Sequence, residues 1–282
     1  MNICEYAHLI LFSEDLESKM LSPSLVNNFE FNERCKIDEV PDMPARAHRI
    51  SFSDKRPKFP SVESFNQVEN RAKALHFFAN HELLAIEMMA CAILLFQVEG
   101  DEGKKFRRGL LATIADEQKH FRLYQGRMME WGVSFGDFYL NDFFWKQMKK
   151  VETPEQFYAV VALTFESANL DFALYYKNVF DSIGDERTST IMQTVLDDEI
   201  SHVKMGHKWI NQAFSESDKN LWDIYRELLP EKLSPARAKG MIFNQDGRMR
   251  AGLDDSYISG LKNYEDPFAV VNRKSKESDE SL

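Results

Sequence analysis

The chain has 282 residues, 44% of them hydrophobic and 28% charged, enough to bury one large core and too ordinary a charge fraction for global disorder. A formal charge of −10 leaves no electrostatic footprint for nucleic acid or an anionic membrane surface. Cys4, Cys35 and Cys91 are far apart and form no CxxC pair, so a reducing, cytoplasmic setting is expected.

Residues 1–22, containing "YAHLILFSEDLESKML", predict a short amphipathic helix. Its apolar run is too brief, and Glu5 too near the start, for a signal peptide. Residues 23–62 are polar and interrupted by Pro23, Pro41, Pro44, Pro57 and Pro60, which predicts an extended arm. Four long helices follow. "VENRAKALHFFANHELLAIEMMACAILLFQV" (68–98) is apolar nearly all round between 83 and 96, the mark of a buried helix. "KKFRRGLLATIADEQKHFRLYQGRMMEWG" (104–132) ends at Gly132, and the basic run "GKKFRRG" (103–109) at its start is expected in a solvated loop. An aromatic-rich connection leads to 153–184, which opens on Thr153, Pro154 and Glu155 and stops at Gly184. The fourth helix spans 185–214. No run of about 20 apolar residues exists, so no membrane span is expected. The expected organisation is an N-terminal helix and arm (1–63), an all-α four-helix bundle (64–214), a C-terminal helical extension (215–265) and a disordered tail (266–282).

Two of these helices carry the same motif. "DEQKH" (116–120) and "DEISH" (198–202) each put a Glu and a His three positions apart, on one helix face. Glu117 has Leu110, Ile114, Phe121 and Tyr124 as same-face neighbours, and Glu199 has Met192, Val195, Leu196 and Val203, so both carboxylates point into the core. A buried carboxylate must be paired, protonated or metal-bound. The other two helices each offer one Glu on an apolar stripe: Glu82 beside Leu75, Phe78, Ala79 and Ile86, and Glu166 beside Ala159, Ala162, Leu163 and Leu170. One Glu from each of two helices with Glu-x-x-His from the other two is the ligand set of a carboxylate-bridged dinuclear site, here Glu82, Glu117, His120, Glu166, Glu199 and His202. Oxygen donors with two imidazoles suit iron, with manganese or a mixed iron–manganese pair as the alternative. A bundle with internal carboxylate–imidazole pairs is the competing reading, and it rarely repeats so regularly.

Asp116 and Asp198 precede the two glutamates and are candidates to orient the imidazoles; ordinary exposed acids are the equal alternative. Glu87 lies about 140° round the helix from Glu82, yet its neighbours are apolar; it is an extra ligand or the partner of a buried base such as His76. His81 and His207 are weaker candidate ligands, and Tyr124 stands one turn past His120.

The segments "LHFFANHELLAIEMMA", "FRRGLLATIADEQKHFRLY", "LTFESANLDFA" and "DDEISHVKMGHKW" resemble a bacterial ferritin-like family known only by a domain-of-unknown-function label. The similarity runs from about residue 40 to 260 and takes in "KGMIFNQDGRMRAGL". It implies a ferritin-like bundle and metal ligation by the same six residues, and it supplies no substrate. Asn244, Arg248 and Arg250 are candidates to bind an anionic group at an entrance, or to form a salt-bridged cap.

The leading functional expectation is a di-iron oxidoreductase that activates O2 to oxidise a small organic substrate, served by an electron-donor protein and without nucleic acid or membrane as partner. The long arm and C-terminal extension favour an organic substrate, because a minimal ferroxidase bundle needs neither. A ferroxidase, peroxide-scavenging or manganese-catalase-like protein is the first alternative. A non-catalytic helical interaction protein is the second.

Overall fold

The computed structural model describes residues 1–55 and 58–266. Pro57 and the part of the expected tail from 267 onward lie outside the described residues. Among the described residues the chain is all-helical, with isolated bridges but no strand. It divides into two units, Met1–Pro154 with Lys177–Val195, and Glu155–Tyr176 with residues from Leu196 onward.

In the first unit, α1 (Ile3–Phe12) begins at a capping box: Asn2 accepts from the Cys4 amide, and the Glu5 carboxylate accepts from the Asn2 amide. The helix expected over 1–22 stops at Ser13, and a separate short turn, Leu16–Lys19, follows under an Asp15 cap. The apolar face of α1 packs on α2 (Val68–Leu95). Residues Leu83, Leu84, Ile86, Ala90, Cys91, Ile93 and Leu94 of α2 are all fully buried, as its all-round apolar pattern predicts.

Helix α3 (Gly100–Met129) starts earlier than expected and takes the basic run into its first turns. Arg107 is buried rather than solvated: its guanidinium donates to the carbonyls of Phe29 and Val98 at 2.7 and 2.9 Å. Gly103 allows that close approach, since a Cβ there would fall 1.8 Å from the Val98 oxygen.

The third and fourth long helices are α4 (Pro154–Ser182) and α5 (Glu186–Ala213). Gly184, at φ +73°, makes the left-handed turn between them. Their joined ends belong to the first unit and are fixed there by Asp185. Its carboxylate accepts from Arg71 of α2 and Arg127 of α3 at 2.7 and 2.8 Å while capping the Thr188 amide of α5. Burial pushes the Asp185 carboxyl up, but those hydrogen bonds outweigh it and hold the carboxyl below its usual range.

The second unit holds the remaining parts of α4 and α5 with α6 (Leu221–Leu228), α7 (Gln245–Arg250) and α8 (Asp255–Asn263). Within α4, residues Val161–Glu166 form a π-helical segment between two α-helical stretches. Helices α2 and α4 are long and apolar enough to cross a membrane by length and composition, although no such span was expected; 83% of the most apolar window of each is buried inside the structure.

Candidate metal centre

In the first unit α2 presents Glu82 and α3 presents Glu117 and His120, all buried. The three-residue spacing sets His120 Nδ1 3.3 Å from Glu117 Oε2. In the second unit α5 repeats the arrangement, with His202 Nδ1 3.1 Å from Glu199 Oε2. Asn169 of α4 donates to the other Glu199 oxygen at 3.1 Å, and Glu166 ends the π segment. Glu166, Glu199 and His202 are at most 4% exposed.

In the first unit, ligand-capable atoms of Glu82, Glu117 and His120 lie within 4.8 Å of one another, and in the second so do those of Glu166, Glu199 and His202. Each buried group of acids and histidines could hold a metal ion. Its donor set is all carboxylate and imidazole, which fits hard or borderline divalent cations and not a thiolate-seeking metal. The free thiol of Cys91 is buried in α2 and belongs to neither group, and burial pushes it up to about 12.

The other singled-out residues take varied places. Asp116 is half-buried and pairs with Lys119 at 3.0 Å, and Asp198 is half-buried on α5. Tyr124 is buried, with its hydroxyl 3.7 Å from the Met192 sulfur and its ring against Phe78. Glu87 has cationic partners from outside the four long helices: Arg46 at 2.6 Å and Lys19 at 2.9 Å, with all three side chains buried. His76 is therefore not its partner. Instead His76 Nε2 accepts from the amides of Gly136 and Phe138 at 2.9 and 3.4 Å, and burial pushes the ring down to about 4. His81 is held between the rings of Phe77 and Phe144, also pushed down to about 4 by burial. His207 lies 2.6 Å from the Asn211 amide nitrogen.

The C-terminal candidates are built into a cap. Arg248 is fully buried in a two-fold pair with Asp171 of α4, at 2.5 and 3.0 Å. Asn244 caps α7 through the Gly247 amide and donates to the Leu170 carbonyl. Arg250 is exposed, 3.5 Å from Asp197. For Asn244 and Arg248 the salt-bridged cap is thus what the geometry contains.

Sequence reasoning passed over Lys19, Arg46 and the role of Asn169. The first two carry no local signal. Asn169 does: it is a lone amide on the apolar stripe next to Glu166.

An uncharacterised protein of Haemophilus influenzae is 27% identical over 249 residues, covering 85% of each chain. An arginine–tRNA ligase of Haemophilus ducreyi is 26% identical over 153 residues, covering 52% of this chain and 26% of that protein. No solved structure matches. The family described as "Protein of unknown function (DUF455)" matches residues 12–259, most of the sequence, and the chain belongs to that family.

Proposed function

We propose that the six buried residues hold two metal ions, iron first and manganese as its substitute, inside a ferritin-like four-helix bundle. On this reading the protein is an oxidoreductase that uses O2 to oxidise a small organic substrate, drawing further electrons from a donor protein. One observation carries it: each unit brings a lone Glu and a Glu-x-x-His pair together in the interior, their ligand-capable atoms within 4.8 Å of one another.

Glu82, Glu117 and His120 would then hold one ion, and Glu166, Glu199 and His202 the other. Charge favours two ions over one. Four buried carboxylates carry four negative charges, which two divalent cations neutralise, whereas one cation leaves a buried net charge that costs several kcal/mol. When bound, such a pair supplies electrons and Lewis acidity to O2. The chain's own part is to fix the ligands. The Asn169 amide orients Glu199, the three-residue spacing aligns each imidazole with its carboxylate, and the apolar neighbours of α2 and α4 keep bulk water from the cluster.

Anaerobic loading with ferrous ion followed by exposure to O2 tests this reading. About two irons per chain are expected, with O2 uptake that rises when the right organic substrate is present. Steady turnover of ferrous ion or peroxide without an organic substrate supports the ferroxidase or peroxide-scavenging alternative. Failure to bind metal leaves the non-catalytic helical protein.

A further inference from the structure

We propose that hydroxyl groups on Thr164, Tyr225 and Tyr257, with the Arg248 guanidinium, are positioning residues that hold open the π turn carrying Glu166. This rests on the two-metal reading of the site. The inference concerns how one of its ligands is placed by a segment that a plain helical bundle lacks.

A π turn inserts one residue into a helix, which rotates everything beyond it by about 100° relative to a straight α-helix. Glu166 is the last residue of such a turn, so its direction depends on the turn staying open. An open turn leaves main-chain groups without their usual partners, and buried groups of that kind must be satisfied elsewhere. In an α-helix the Ser167 amide would donate to the Leu163 carbonyl; here it reaches the carbonyls of Ala162 and Thr164.

The Leu163 carbonyl instead accepts from the Tyr257 hydroxyl of α8 at 3.1 Å. Thr164 Oγ1 donates to the Ala159 carbonyl at 2.8 Å. With its single hydrogen used there, Thr164 is the acceptor in its 2.8 Å contact with the Tyr225 hydroxyl of α6. Arg248 donates to the Ser167 carbonyl at 3.1 Å, and Ser167 Oγ donates to the Ala238 carbonyl. Tyr225, Tyr257 and Arg248 are each fully buried, and the two tyrosine rings pack edge to face at 5.4 Å.

The space for the widened turn is provided separately. Gly206 of α5 faces it, and a Cβ at that position would lie 2.2 Å from the Ala162 Cβ. The segment 221–263 therefore fills the hydrogen bonds that the turn opens, while α5 withholds a side chain where the turn swells. Without the three hydroxyls the α register is the better-satisfied backbone, and relaxation into it swings Glu166 away from Glu199 and His202.

The test is metal titration of the full chain with ferrous ion under anaerobic conditions, comparing wild type with Thr164→Val, Thr164→Ser and Tyr257→Phe. Circular dichroism and thermal melting establish that each variant is folded at the assay temperature. Thr164→Val and Tyr257→Phe should weaken one of the two ions by about 10–100-fold, the usual cost of losing a group that orients a ligand. The other ion, held by Glu82, Glu117 and His120, should be unchanged. Thr164→Ser, which keeps the hydroxyl, should restore wild-type binding. Unchanged affinity for both ions, or parallel loss of both, would overturn the proposal. A wild-type chain that binds no metal would sink the two-metal reading itself, and that result is read before any variant is compared.

Discussion

Glu82 and Glu166 each stand alone on a helix, yet they are presented by opposite means. Glu82 lies in the unbroken α-helix α2, followed by a run of fully buried apolar residues, so helical period and packing set its direction. Glu166 ends a π turn whose hydrogen bonds are completed by Thr164, Tyr225, Tyr257 and Arg248. An apolar surround makes no demand for partners, whereas an irregular turn in a buried helix requires a polar one. The C-terminal segment meets that requirement through Tyr225, Tyr257 and Arg248.

The contrast can be broken at the buried charges. Asp171→Ala strands Arg248 in the interior and should cost about 3–5 kcal/mol in denaturant unfolding, the usual cost of leaving one partner of a buried pair. Amide exchange should then quicken in residues 235–250 and spare α2. Equal quickening in both would contradict the separate means of support proposed for the two glutamates.

On the α2 side the sensitive group is His76. Its folded-state value, about 4, lies below the ordinary histidine value of 6.5, so the unfolded chain binds the proton first as pH falls. The stabilising effect is complete above about pH 6.5 and lost progressively down to about 4, at most on the order of 3 kcal/mol. His76→Gln, which retains an acceptor for the Gly136 amide, should flatten the fall in stability between pH 7 and 4.5. A wild-type slope in that variant would remove His76 from the account.

A smaller effect is expected at Gly206→Ala, which overfills the space taken by the π turn and should cost about 1–3 kcal/mol. A neutral or stabilising outcome would mean that α4 can close its turn without penalty.

Much of this was legible in the chain itself. The four long helices follow from apolar spacing with Gly184 as punctuation, and helical period alone picks out the two Glu-x-x-His motifs, Glu82 and Glu166 as buried candidates. The illegible parts depend on partners distant in sequence. Arg107 reads as a surface cation until the carbonyls of Phe29 and Val98 are placed beside it. Glu87 reads as a spare ligand until Lys19 and Arg46 arrive from the N-terminal segment. The π turn leaves no mark in "VALTFE", because the tyrosines that satisfy it lie far along the chain. Arg248 reads equally as an anion-binding or a cap-forming residue, and only Asp171 decides that it closes a cap.

The central claim is that the six buried acids and histidines hold two ions. Anomalous diffraction at the iron edge, from crystals of iron-loaded protein, tests it most directly. Two peaks are expected, one beside Glu82, Glu117 and His120 and the other beside Glu166, Glu199 and His202. A single peak, or peaks that leave Glu117 or Glu199 uncoordinated, would contradict it.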